Sequence, residues 1–102
     1  MSNTAKMQLS IPATRSNLIA ALVEKIIVMK PDLASVVSVD AVKDVTLKSM
    51  ALDSLDTLQL AMEIEETFDM EIDVVDFPPY LTIEGLASQL EALKRKQAQE
   101  TN

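Results

Sequence analysis

Apolar residues recur at helical spacing in three stretches of the chain. In the first, Ile19, Leu22, Val23, Ile26 and Ile27 line one face. Pro12 suits the approach to this helix, Ser16 is a reasonable N-cap and Thr14 is the competing choice. Pro31 disfavours helical geometry at the residue before it, so the helix is expected to end near Met29–Lys30. In the second stretch, Leu60, Ala61, Ile64 and Phe68 form a stripe wide enough to be a core face. Asp53 opens this helix as an N-cap, and Asp56 adds negative charge in the first turn, where the helix dipole favours it. The helix is expected to run to about Asp69. In the third, Ile83, Leu86, Ala87, Leu90 and Leu93 make the buried stripe, with Thr82 as cap. Lys94, Arg95 and Lys96 stand at its expected C-terminal end, where positive charge is favourable.

The stretches between are less regular. Val36, Val37, Val39, Val42, Val45, Leu47 and Met50 are scattered through Asp32–Leu52. Their β-branched character suits a strand, yet a lone short strand has nothing to pair with. The reading is a long loop that drops apolar side chains onto a helical core, with a helical turn near Val39–Lys43. Loops of this length are usually functional. After Ile72 the pattern breaks: Asp73–Asp76 reads as a turn, and Pro78-Pro79 forbids a regular helix. The expected organisation is a flexible N-terminal extension over 1–13, a helical domain over 14–96 and a disordered tail over 97–102. The fold class is all-α: a small antiparallel three-to-four-helix bundle with a long loop between its first and second helices.

Composition narrows the chemistry. At 102 residues the chain is one domain, and 48% apolar with 25% charged residues is a globular balance. The only aromatics are Phe68, Phe77 and Tyr80, so the core must come from Leu, Ile, Val, Met and Ala. Gly85 is the only glycine, which excludes glycine-rich phosphate loops. Without cysteine there are no disulfides, thiolates or usual zinc sites. Without histidine the commonest general base is missing, so any working serine must act without a Ser-His pair. Nothing supplies a tuned acid–base pair, so an autonomous enzyme is not expected, and a serine that receives a group from another enzyme stays open. The net charge of −7 argues against nucleic acid and anionic membranes as partners. Residues 1–13 lack the apolar core of a secretory signal, and Leu18–Met29 is broken by Glu24 and Lys25. A cytoplasmic monomer without stable membrane insertion is the expectation.

The second helix carries the most information. Leu55, Leu58 and Met62 form a second apolar line, flanked by Asp56, Gln59, Glu65 and Glu66. Leu58 suits core and surface equally; Leu55 and Met62 suit a partly exposed line that meets a partner. From Ser49 through Leu93 there are eleven acidic residues and no Lys or Arg, and nine of those acids lie between Asp53 and Asp76. A solvated acidic face accounts for such a run. Confinement of the basic residues to the rest of the chain also creates a field that steers basic partners toward this helix.

The run D-S-L-D-T-L-Q-L-A-M-E-I-E-E-T-F-D-M-E-I, Asp53–Ile72, resembles the second helix of the acyl carrier proteins of fatty acid and polyketide synthesis, and the turn after it. T-I-E-G-L at Thr82–Leu86 resembles the start of their last helix. The resemblance extends loosely from Ser16 to Leu93. It implies that a phosphopantetheinyl transferase attaches 4′-phosphopantetheine from coenzyme A to the Ser54 hydroxyl, using a divalent metal. The arm's terminal thiol then holds acyl intermediates as thioesters, which resolves how a chain without Cys or His handles them. Ser54 lies where the loop meets the helix, near free backbone N–H groups that suit a phosphate. As a structural alternative, Ser54 is merely a second capping residue. By the same resemblance Asp53, Leu55, Asp56, Met62, Glu65 and Glu66 are partner-recognition positions for acyl-transferring and acyl-modifying synthase enzymes with basic docking surfaces. Leu60, Ile64 and Phe68 would line a core able to admit an acyl chain.

Several positions depart from that pattern. Ala51 stands where the family usually has glycine, Gln59 replaces a frequent acid and Asp73 a common proline. The short third helix is rewritten as Asp73–Leu81. These departures favour a dedicated carrier of a specialised pathway over the housekeeping one. The D-S-L-D context and the acidity favour an acyl carrier over a peptidyl or aminoacyl carrier. An unmodified acidic helical adaptor is the alternative from a different class. A calcium-binding module is a weaker one: Asp69, Glu71 and Asp73 alternate like EF-hand ligands, but Val74 falls where glycine is needed and Tyr80 where a bidentate Glu belongs. No metal ligands are assigned.

Overall fold

A computed structural model describes residues 11–100. Among these, three α-helices and no strands are present: α1, Arg15–Met29; α2, Ser54–Phe68; and α3, Ile83–Glu100. Expectations for 1–10 and 101–102 lie outside the described residues.

The competition at the start of α1 goes to Thr14, whose Oγ1 accepts the Asn17 N–H at 3.2 Å. Ser16 lies further along and is already helical. Residues 11–13, expected as part of a flexible extension, are tied down. The Ile11 N–H donates to the Thr67 carbonyl at 3.3 Å, and Asn17 Nδ2 donates to the Pro12 carbonyl at 3.0 Å. Ala13 is half-buried against the core. At the other end, α1 stops at Met29 because Pro31 follows Lys30, and Pro31 instead opens a 3₁₀ turn over Pro31–Ser35.

The connection from α1 to α2 does what its scattered valines predict. Val37, Val42, Leu47 and Met50 are all buried, with one helical turn at Val39–Ala41. What periodicity missed is its backbone partner. Thr46 forms an antiparallel bridge with Thr82. The Leu47 N–H donates to the Leu81 carbonyl at 3.2 Å, Lys48 to Pro79 at 3.0 Å and Ile83 to Val45 at 3.1 Å. The segment after Pro78 therefore serves as the pairing edge that a short extended stretch requires. A further 3₁₀ turn, Val74–Asp76, is closed by Asp73 and Asp76, each accepting the other's backbone N–H.

The core is continuous. Leu18, Leu22 and Ile26 from α1 meet Leu60, Ile64 and Phe68 from α2 and Ile83, Leu86 and Leu90 from α3, all almost fully buried. Helix α1 packs against both other helices, more extensively against α3. Among the described residues no polar or charged side chain is buried, so the interior is held by apolar burial alone.

Helix α3 continues past the expected end at Lys96, and 97–100 are helical rather than a disordered tail. The cause is tertiary. The Gln97 amide accepts the Glu71 N–H at 3.0 Å and donates to the Glu71 carbonyl at 2.6 Å, which anchors the extra turn. Lys94–Lys96 consequently fall short of the last turn. Lys94 Nζ instead donates to the Asp69 carbonyl at 2.6 Å, satisfying the C-terminal end of α2.

Candidate functional site

Three local interactions build the first turn of α2. Asp53, in extended geometry, accepts the Asp56 N–H on Oδ1 at 2.8 Å. Asp56 reaches back and accepts the Asp53 N–H on Oδ2 at 3.3 Å, closing a reciprocal capping box. The Thr57 N–H and hydroxyl both donate to the Asp53 carbonyl at 2.9 Å. Asp53 and Asp56 thus do all the side-chain capping. Ser54, the first helical residue, is exposed, and its hydroxyl makes no hydrogen bond among the described residues. The reading of Ser54 as a second cap does not match this geometry.

The loop leading in is held from the other side. Ser49 and Thr46 exchange backbone and hydroxyl hydrogen bonds at 2.8–3.0 Å. Met50 is buried, and Ala51 adopts left-handed geometry with φ of 58°. A glycine takes this conformation without the strain that a Cβ adds, which gives the Ala51 departure a physical meaning. Ser54 therefore projects from a rigid elbow. Fixed between a buried Met50 and a capped helix, its hydroxyl faces solvent, beside the Ser54 and Leu55 N–H groups, which find no acceptor among the described residues. An exposed hydroxyl at the positive end of a helix fits an attached phosphodiester.

The six other predicted site residues divide into two sets. Leu55, Met62 and Glu66 are exposed and share one outward line along α2. Leu55 is 75% exposed and Met62 53%; Leu58, which suited core and surface equally, lies outward at 44%. Asp53, Asp56 and Glu65 spend their carboxylates on backbone N–H groups. Glu65 Oε2 accepts the Ile72 N–H at 2.7 Å, folding the chain back after α2. That Glu65 contact spans a turn and carries no signal in the local pattern.

Two cations of α1 and its end also reach α2, which helix patterning did not reveal. Lys30 Nζ lies 3.6 Å from Asp56 Oδ2, and Lys25 Nζ 3.7 Å from Glu63 Oε1. Part of the acidic face is thereby neutralised from within the chain.

At the opposite end of α2, Glu65, Asp69, Met70, Lys94 and Gln97 border an open cleft of about 470 Å³. This cleft is remote from Ser54, since the helix separates them by roughly 20 Å at 1.5 Å per residue. Asp69, Glu71 and Asp73 do not form an ion cage: Asp69 ends α2 in left-handed geometry and Asp73 is occupied with Asp76. Among the described residues no group of three or more acidic side chains converges as a metal site requires. No helix among them is long and apolar enough to cross a membrane.

A family model described as "Phosphopantetheine attachment site" matches residues 32–90, more than half of the chain. The match takes in the paired loop, all of α2 and the first part of α3, and leaves α1 outside. Comparison with curated proteins and with solved structures finds no match.

Proposed function

Because the chain belongs to the phosphopantetheine attachment-site family, we propose that it is an acyl carrier protein whose Ser54 hydroxyl receives the 4′-phosphopantetheine arm. The observation that carries this reading is the exposed Ser54 hydroxyl, without an internal partner, at the head of a helix capped entirely by its neighbours. When bound, the arm supplies a terminal thiol that holds an acyl group as a thioester. The protein's own residues do the rest. Asp53 and Asp56 hold the first turn, Met50 anchors the elbow, and the Ser54 and Leu55 N–H groups favour negative charge beside the hydroxyl.

The carrier unit is taken as 14–96, acting as a monomer in the cytoplasm on which other enzymes work. Leu55, Leu58, Met62 and Glu66 form the surface offered to acyl-transferring and acyl-modifying enzymes. An apolar line with an acidic margin suits a basic docking face. Asp53, Asp56 and Glu65 contribute there by holding the backbone as well as by charge.

Intact-mass measurement after incubation with a promiscuous phosphopantetheinyl transferase, coenzyme A and magnesium tests the reading. The wild-type chain is expected to gain one phosphopantetheine and Ser54→Ala none. A wild type that gains no mass points to an unmodified adaptor, and a Ser54→Ala variant that gains it moves the site elsewhere. Mass analysis of species released from the native holo-protein then separates acyl from aminoacyl cargo.

A further inference from the structure

From Ser49 through Leu93 the chain has no Lys or Arg, and Lys48, six residues before Ser54, forms no ion pair with α2 among the described residues, so the cation that meets the first turn of α2 comes from another part of the fold. Lys30 supplies it. Its Nζ lies 3.6 Å from Asp56 Oδ2, the same oxygen that accepts the Asp53 N–H at 3.3 Å. The ammonium is thus one carboxylate away from the Leu52–Asp53 peptide, one residue before Ser54. The other ion pair to α2, Lys25 with Glu63, sits about two turns further along the helix. The Lys30 backbone is fixed at the end of α1: its N–H donates to the Ile26 carbonyl at 2.8 Å and its carbonyl accepts the Leu33 N–H at 2.9 Å. Its side chain remains about one-third exposed, so the head can shift while the root cannot.

A phosphodiester on Ser54 adds a negative charge to a turn that already holds Asp53 and Asp56. The free N–H groups of Ser54 and Leu55 offset part of that charge, because Asp53 has taken the N–H groups of Asp56 and Thr57. We propose that Lys30 is the positioning counter-ion of the arm's phosphodiester, shared with Asp56 once Ser54 is loaded. The proposal rests on Ser54 being the attachment residue. It assigns the end of α1, which lies outside the matched family region, a part in holding the arm. With Lys30 in place one of the three negative charges of the loaded turn is offset; without it, three anions crowd one helix end.

The test compares unloaded and loaded forms of wild type, Lys30→Met, Lys30→Gln and Lys25→Met, each verified by intact mass. Two readouts are taken at low salt: the change in melting temperature on loading, and the phosphorus NMR resonance of the attached phosphodiester. Loading is expected to lower the melting temperature of both Lys30 variants by about 2–4 °C more than that of wild type, the scale of one exposed ion pair in a domain this size. The phosphorus resonance is expected to move in both Lys30 variants, and Lys25→Met is expected to match wild type in both readouts. Loading shifts and resonances unchanged from wild type in the Lys30 variants would overturn the proposal. Equal changes in Lys25→Met would also overturn it, since the effect would then be one of overall charge. If wild type loads and neither Lys30 variant does, Lys30 belongs to the transferase interface and the proposal is wrong. A wild type that fails to load, or a Ser54→Ala variant that loads, overturns the Ser54 reading first and this proposal with it.

Discussion

The two ends of α2 are built on opposite plans. At its start, Asp53 and Asp56 cap one another within a single turn, and Ser54 stands between them with its hydroxyl free. At its end, partners come from α3 and from the returning loop. Lys94 takes the Asp69 carbonyl, Gln97 takes both backbone groups of Glu71, and Glu65 takes the Ile72 N–H. Phe68 is 1% exposed beside this clamp, whereas Leu55, near Ser54, is 75% exposed. One end has its backbone capped from within its own turn, with the Lys30 ion pair added from the end of α1, and leaves its surface open to other molecules. The other is completed by distant parts of the chain and closes the core.

The sharpest test of that contrast is a pair of truncations on the same helix. Phe68→Ala is expected to lose about 3–5 kcal/mol of stability in urea unfolding, from lost burial and the cavity left behind. Leu55→Ala should stay within about 0.5 kcal/mol of wild type, since an exposed side chain has little burial to lose. Comparable losses at the two positions would break the comparison.

Asp53→Ala comes next. It removes the acceptor of the Asp56 N–H and leaves Asp56 without its reciprocal partner, for an expected loss of about 1 kcal/mol. Hydrogen exchange should quicken in the first turn of α2, with Ile64 and Phe68 unaffected. Gln97→Ala does the reverse at the far end. Its expected loss is about 1 kcal/mol, with faster exchange at Glu71 and in the last turns of α3, and none at Ser54–Thr57. Exchange that spreads along the whole of α2 in either variant would mean the two ends are not independent.

The smallest effect concerns the elbow. Ala51 holds φ at 58°, where a Cβ costs about 1–2 kcal/mol. Glycine removes that strain but frees the unfolded chain, which returns roughly 0.4–1 kcal/mol. Ala51→Gly is therefore expected to gain roughly 0.8 kcal/mol and to raise the melting temperature by about 3–6 °C, at about 4–8 °C per kcal/mol for a domain of this size. A fall would show that the elbow is held in another geometry.

Much of α2 and α3 is legible in residue type and spacing. The Asp53 cap, the Leu60–Ile64–Phe68 stripe and the Thr82 cap of α3 follow from neighbours within a turn or two, because capping and amphipathic burial are short-range rules. Ser54 stands out through the residues around it. Other positions mislead the same rules. Ser16 and Thr14 are near-equal caps by type, and Thr14 prevails in the folded chain. Leu58 suits core and surface alike until the packing of α1 shows which face is covered. Gln97 looks like the start of a frayed tail, since its partner Glu71 is far away in sequence.

What the sequence determined by itself is the all-α class, the three helices and a solvent-ready serine at the head of the second. Periodicity and caps are decided by neighbours along one helix, and the chain carries those neighbours in order. What only the tertiary structure decided is how that serine's surroundings are held and charged. The edge from Pro79 to Ile83 steadies the loop before it, and Lys30 brings positive charge from the end of α1. Both depend on residues far apart in the chain meeting across the core, and no local pattern encodes which loop a backbone N–H will find or where a flexible lysine head will rest.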